Sequence, residues 1–176
     1  GKWAVKHSLE KGYCVTAYVR NKQKMTIHDD KLTVIQGEII DYDKVKSALA
    51  GKNAVIWCVG IPMKNKLVNF ESQKGHEILL KAMKEQGVKR LIDWGTPSVA
   101  FDKDKTSFIT VVPGIMAGIM FSKAKAEMVA IGQMLKESDL DWTMVRFLMP
   151  QDTPFIGRVK VGFGDVKMNF AISRED

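Results

Sequence analysis

Several things that would mark a specialised protein are scarce or missing in this chain of 176 residues. Cysteine occurs only at Cys14 and Cys58, without the C-x-x-C spacing of a redox motif or a zinc site. Both sit in apolar, strand-like runs. Two buried thiols in a reducing, cytoplasmic compartment are therefore expected, rather than a redox pair. The three histidines, His7, His28 and His76, show no metal-ligand spacing, so no metal is expected. No apolar run reaches the roughly 18 residues of a membrane span, and no membrane partner is expected. Arginine is scarce as well: 5 of the 27 basic residues, against a net charge of +7. Base readout favours arginine forks and aromatic stacking platforms. The lysines instead fall on polar helix faces, as at Lys81, Lys84 and Lys89. That pattern describes a solvated surface and no nucleic-acid groove, although the charge would steer an anionic ligand inward.

What is present is ordinary for a globular α/β protein: 45% hydrophobic and 27% charged residues. Residues 2–11 read as a helix closed by Gly12. Strand-like runs follow at Tyr13 to Val19 and Leu32 to Gln36. Asp41 caps a helix running to Ala50. Ala54 to Val59 is apolar throughout, as expected of a strand buried on both faces. A loop at 60–66 leads into a helix to Gln86, with a turn at Gly87. Val88 to Trp94 is a strand, 95–120 a long loop, 122–137 a helix, and Asp141 to Phe147 a strand. Two further strands are expected at Arg158 to Phe163 and Met168 to Ile172. Strands alternating with helices imply an α/β fold with a doubly wound parallel sheet and helices on both faces. No linker interrupts the chain. One domain over 1–176 is expected, with a core at 1–150 and a small substrate-side extension at 151–176.

Such a sheet normally opens with a strand, yet this chain opens with a helix. Gly1 lies where the last glycine of a G-x-x-G-x-x-G turn would lie. Ser173-Arg-Glu-Asp176 has the form of a helix start with Ser173 as cap. A first strand and a final helix are therefore expected outside the sequence given. Without the first strand, which is central in such a sheet, the strands on either side of it would lack a neighbour.

The stretch G-K-W-A-V-K-H-S-L-E-K-G-Y-C-V-T-A-Y-V-R-N resembles the region after the first strand of atypical short-chain dehydrogenase/reductases. The similarity points to the NmrA-like, NAD(P)H-binding branch that includes the biliverdin-reductase-B-like flavin reductases. G-E-I-I-D-Y-D at 37–43, N-A-V-I-W-C-V-G at 53–60, G-V-K-R-L-I at 87–92 and L-D-W-T-M-V-R at 140–146 match in order and spacing. The resemblance covers about residues 1–150 and implies a Rossmann-type fold.

The resemblance and the residues together nominate a dinucleotide site. A helix N-terminus presents unpaired N–H groups to a pyrophosphate, and Gly1 would permit close approach. Arg20, with Asn21, Lys22 and Lys24, follows the second strand, where the adenosine ribose is expected. A guanidinium there clamps a 2′-phosphate, whereas a carboxylate would favour NAD; NADP is thus expected over NAD. The resemblance puts Glu38 and Ile39 near the adenine, and Val59, Gly60 and Ile61 at the strand ends by the cofactor ribose. Phe147 would border the nicotinamide. The family's catalytic trio is a Ser/Thr, a Tyr and a Lys. Thr96 or Ser98 supplies the hydroxyl here. F-S-K-A-K matches Y-x-x-x-K with Phe121 in place of the tyrosine and Lys125 as the lysine. Phenylalanine has no proton to give, which disables the usual carbonyl chemistry. The apolar segment 113–121 is expected to cover the nicotinamide or line an acceptor pocket, or equally to form a subunit contact or core.

Three functions fit: an NADP-dependent oxidoreductase passing hydride to a small flat acceptor such as a flavin, quinone or carbonyl; a non-catalytic NADP-binding redox sensor of the NmrA type; and a sugar-nucleotide epimerase or dehydratase. The last needs the missing tyrosine and a larger substrate domain.

Overall fold

A computed structural model of the chain describes residues 1–62, 69–105, 112, 115, 118–167 and 171–176. The expected alternation is there. Helix α1 (Lys2–Glu10) leads to β1 (Val15–Val19), β2 (Leu32–Gln36), α2 (Tyr42–Leu49) and β3 (Ala54–Ile56). Then come α3 (Glu71–Gln86), β4 (Arg90–Gly95), α4 (Ser122–Glu137), β5 (Asp141–Arg146), β6 (Pro150–Gln151) and β7 (Ile172–Ser173). Every ladder is parallel, in the orders β1-β2, β3-β4-β5 and β6-β7. This is the α/β, Rossmann-type arrangement.

Local chemistry sets the helix boundaries. Asp41 accepts from the Lys44 backbone N–H at 3.2 Å and starts α2. Gly87 ends α3 in the left-handed region, φ 70°, a conformation that disfavours any side chain. In α3 the buried positions are 72, 75, 76, 79, 82 and 83; in α4 they are 124, 127, 128, 131, 132 and 135. Both sets form one helical stripe. Leu79, Met83, Leu91 and Leu135 are at most 3% exposed and form the main core with Val45, Leu49 and Trp57. A second cluster joins Ile61, Val99, Ala124, Met128 and Ile131.

The edges of the two larger sheets answer the question of neighbours. Among the described residues β1 pairs with β2 alone and β3 with β4 alone, so each leaves one edge open. The run at 54–59 was expected to be buried on both faces. The strand is shorter, and Ala54, Ile56 and Cys58 are exposed, while Val55 and Trp57 pack under α3. At β3 one face is covered and the other is not. The cysteines are corrected as well. Both Cys14 and Cys58 are exposed, one just ahead of β1 and the other just past β3.

The tail also departs from expectation. Residues 158–163 form no strand: among the described residues no strand pairs with them, and alternating side chains do not replace the backbone hydrogen bonds of a neighbour. The expected strand at 168–172 lies partly outside the described residues. The tail pairs instead through β6 and β7, with Pro150 opposite Ile172 and Gln151 opposite Ser173. Ser173 is thus a strand residue; its hydroxyl donates to Thr153 O at 2.7 Å and accepts from the Glu175 N–H. Within the expected loop at 95–120, residues 118–120 are helical, and residues 106–111, 113, 114, 116 and 117 lie outside the described residues.

Candidate functional site

Parallel strands all end on the same side, and the residues after their carboxyl ends are brought together there. At the β1-β2 end, Val19 lies opposite Gln36, and the Gly37 N–H donates to Val19 O at 3.0 Å. That places Arg20 and Asn21 beside the turn carrying Glu38. Arg20, Lys22 and Lys24 are all exposed. Asn21 shapes their backbone: its Oδ1 accepts from the Gln23 N–H at 2.9 Å and starts a short 3-10 turn, Lys22–Lys24. The Lys22 N–H donates to the Gln36 side chain at 3.3 Å, which ties the two loops together. A neutral amide therefore stands where a carboxylate would repel a phosphate.

Tyr18 is a residue that sequence reading passed over. Its hydroxyl donates to Glu38 O at 2.9 Å and props the turn from below. Burial, with Asp41 and Glu38 nearby, raises its pKa, so the phenol stays a donor. The prop requires Gly37, since a Cβ there would lie 2.1 Å from the Tyr18 oxygen and 2.5 Å from Cζ of its stiff ring. Gly37→Ala should cost about 1–3 kcal/mol in urea unfolding, as overpacking does. A loss of under about 0.5 kcal/mol would show that the ring moves aside freely. Ile39 does not face open space: it packs on the main core, and a Cβ on Gly75 would touch its Cδ1 at 2.9 Å.

At the β3-β4-β5 end, Val59 follows β3 and its carbonyl accepts from the Trp94 indole N–H at 2.9 Å. Trp94 stacks on Phe147, with centroids 5.9 Å apart and planes 26° from parallel. Val59, Trp94 and Phe147 thus make one wall. Gly60 faces open space, with nothing within 4 Å of a Cβ built there. Ile61 turns inward and is 7% exposed in the second cluster. Thr96 follows β4 half-buried, and its Oγ1 accepts from the Ser98 N–H at 3.3 Å. Phe121 caps α4 and packs on the second cluster. Lys125 lies one turn further on, half-buried, its Nζ 3.3 Å from where a Cβ on Gly118 would sit. Gly1 is exposed at the start of α1, next to Cys58.

A clamp holds the segment after Thr96. Arg146, at the end of β5, donates through Nη1 to Val99 O at 2.8 Å and to Asp104 Oδ2 at 2.6 Å, and through Nη2 to Asp104 Oδ1. The Arg146 guanidinium holds the Asp104 carboxyl below the usual carboxylate range. The tail rests on this segment: the Lys105 N–H donates to Phe163 O at 2.7 Å, and Phe101 stacks on Phe163.

Two open depressions of about 500 and 510 Å³ lie elsewhere. Leu9, His28 and Lys31 line one, just ahead of β2, and His7, Glu10 and Phe155 the other, between α1 and the tail. Neither is lined by the residues that follow β1 to β5 at their carboxyl ends, where a dinucleotide seats in a parallel sheet. No group of three metal-ligating side chains occurs among the described residues, and no described helix is long and apolar enough to cross a membrane.

A parallel sheet with cations at one group of strand ends and an aromatic wall at the other defines a dinucleotide-binding protein of the Rossmann type. The chain belongs to the NAD(P)H-binding family, which matches it over residues 1–176. No curated protein matches it in sequence. Among solved structures it is similar to ChuY, described as an anaerobillin reductase, from Escherichia coli O157:H7. The TM-score is 0.76 at 16% identity, with 97% of this chain and 78% of that one covered. It is also similar to a wide-type short-chain dehydrogenase/reductase from Veillonella parvula in complex with NADP, at TM-score 0.75 and 17% identity, covering 98% and 76%. A Rossmann-fold NAD(P)-binding family protein from Shigella flexneri gives TM-score 0.65 at 15% identity, covering 88% of this chain but 64% of that one. The chain is thus shorter than each of them, and at these identities the likeness is one of fold.

Proposed function

We propose that this chain is the nucleotide-binding domain of an NADP-dependent oxidoreductase that passes hydride to a small, flat acceptor such as a flavin, a quinone or a carbonyl compound. The observation that carries the choice of NADP is the exposed Arg20, Lys22 and Lys24 grouped beside neutral Gln36. The residues present fit the cofactor: donors at the ends of β1 and β2, open space at Gly60, and an aromatic wall at Trp94 and Phe147. Arg20, Asn21 and Lys24 would hold the 2′-phosphate, the Glu38 turn the adenine edge, and Val59, Gly60 and Phe147 the nicotinamide side. Gly1 at the start of α1 would approach the pyrophosphate. When bound, the cofactor supplies the hydride. The chain's own part is to orient both partners and exclude water, with Thr96 donating to an acceptor oxygen and Lys125 holding the ribose. The acceptor is a small molecule, and the setting cytoplasmic.

Phe121 favours a second reading. At the position of the family's tyrosine it offers no proton, which suits a non-catalytic redox sensor that reports NADP occupancy to a protein partner. Assays of the chain with NADPH and panels of flavins, quinones and aldehydes separate the two. Turnover supports the oxidoreductase, and tight binding without turnover supports the sensor. Phe121→Tyr should raise aldehyde reduction by about 10²-fold or more, the usual gain from a positioned proton donor. An unchanged rate would show that residue 121 does not occupy the tyrosine's place.

A further inference from the structure

A fully buried polar pair lies behind the aromatic wall. His76, on α3, is 1% exposed, and Asp93, on β4, is 2% exposed. His76 Nε2 lies 3.0 Å from Asp93 Oδ2, and Nδ1 lies 2.7 Å from Ser72 O. Nε2 faces a carboxylate oxygen and Nδ1 a carbonyl oxygen, so both ring nitrogens have a partner. The ring is packed on Trp57, with centroids 4.2 Å apart. Buried polar pairs are expensive unless fully satisfied, and a Leu pair of similar volume would fill the space at no such cost.

The second carboxylate oxygen shows where the pair acts. Asp93 Oδ1 accepts from the Trp94 backbone N–H at 2.7 Å. The Trp94 indole in turn donates to Val59 O and stacks on Phe147. A continuous chain of contacts therefore runs from Ser72, through His76 and Asp93, to Trp94 and the ends of β3 and β5. Each link is fixed at both ends. Trp94 also stands in the β4-β5 ladder opposite Val145, and Asp93 adds a side-chain acceptor for its backbone N–H.

From this chain we infer that His76 and Asp93 are a positioning pair for the nicotinamide half of the site, acting through Trp94. The inference rests on the proposed dinucleotide site and adds a division of labour to it. The adenosine half is set by the β1-β2 loops and Tyr18, and the nicotinamide half by this buried pair. The two halves share no hydrogen bond among those connecting these residues.

The division makes the test selective. NADPH spans both halves, whereas adenosine 2′,5′-bisphosphate reaches only the adenosine half. Affinity for both is measured on the full chain and on His76→Leu, Trp94→Phe and Asp93→Asn. His76→Leu and Trp94→Phe should each weaken NADPH by about fivefold, the worth of one hydrogen bond, with the bisphosphate changed less than about twofold. Asp93→Asn is the conservative rescue. Its amide can donate to Nε2 while its oxygen still accepts from the Trp94 N–H, so NADPH binding should return to within about twofold. A parallel loss of both ligands in His76→Leu and Trp94→Phe, or no loss of either, overturns the inference. If His76→Leu does not fold by circular dichroism, His76→Phe carries the test, since it keeps a ring against Trp57 and removes the contacts to Ser72 and Asp93. A wild-type chain that binds neither ligand removes the site itself, a result distinct from all of these.

Discussion

Arg20→Ala should weaken NADPH binding by about 10- to 100-fold while leaving NADH within about twofold, because a charge-assisted bidentate contact to a phosphate is lost and NADH has no such phosphate. The magnitude follows from the setting. Arg20 is exposed, so its contact with a 2′-phosphate would be partly screened and would not reach the value of a buried pair. Lys22 and Lys24 stay in place and preserve some of the attraction. Raising the salt should therefore narrow the gap between wild type and variant. Equal losses for the two nucleotides would remove the 2′-phosphate role from Arg20. The comparison is read by fluorescence titration of both proteins with both nucleotides.

Arg146→Met should destabilise the chain by about 2–4 kcal/mol at neutral pH, because two charged contacts to Asp104 and one to a backbone carbonyl disappear together. The side chains of Arg146 and Asp104 are 16% and 27% exposed, so solvent only partly replaces what is lost. The pH dependence follows from the direction of the Asp104 shift. Its folded pKa is depressed, chiefly by the hydrogen bonds from Arg146. Stability from the pair is thus fully present above the unfolded carboxylate value of about 4 and is lost as pH falls through the lower folded value. Urea unfolding of wild type and variant should differ most at neutral pH and converge as the solution is acidified below pH ~4. A gap that stays constant into acid would mean that Asp104 is not held by Arg146. Activity should fall as well, since the clamp fixes the segment that carries Thr96, Val99 and the seat of Phe163.

Which parts were legible in the sequence follows from the range of the interactions involved. Asp41 and Gly87 act on backbone within a few residues, and both ends of α2 and the end of α3 stand where they were expected. The stripes of α3 and α4 are local periodicities and were equally readable. Burial of β3 was not, because an apolar run cannot say whether both faces of a strand are covered. Arg158 to Phe163 alternates like a strand, but alternation supplies no partner, and pairing is a property of two segments. The cysteines followed β3 and β1 into the same error.

The candidate site divides along the same line. Arg20, Val59, Gly60 and Phe147 follow strand ends, and a parallel sheet carries such residues to one side whatever their partners. Tyr18, Trp94, His76 and Arg146 depend on contacts 17 to 47 residues away along the chain, which no spacing rule reveals. One signal was available. Asp93 is a carboxylate inside L-I-D-W, an otherwise apolar strand, and a carboxylate there requires a buried partner. That partner is His76.

The proposed preference for NADP rests on the site telling a 2′-phosphate from none. Titration of the unaltered chain with NADPH and with NADH measures this directly. The account predicts saturable binding of NADPH, at least about tenfold tighter than that of NADH. Indifference to both nucleotides at millimolar concentration, or a preference for NADH, would contradict it.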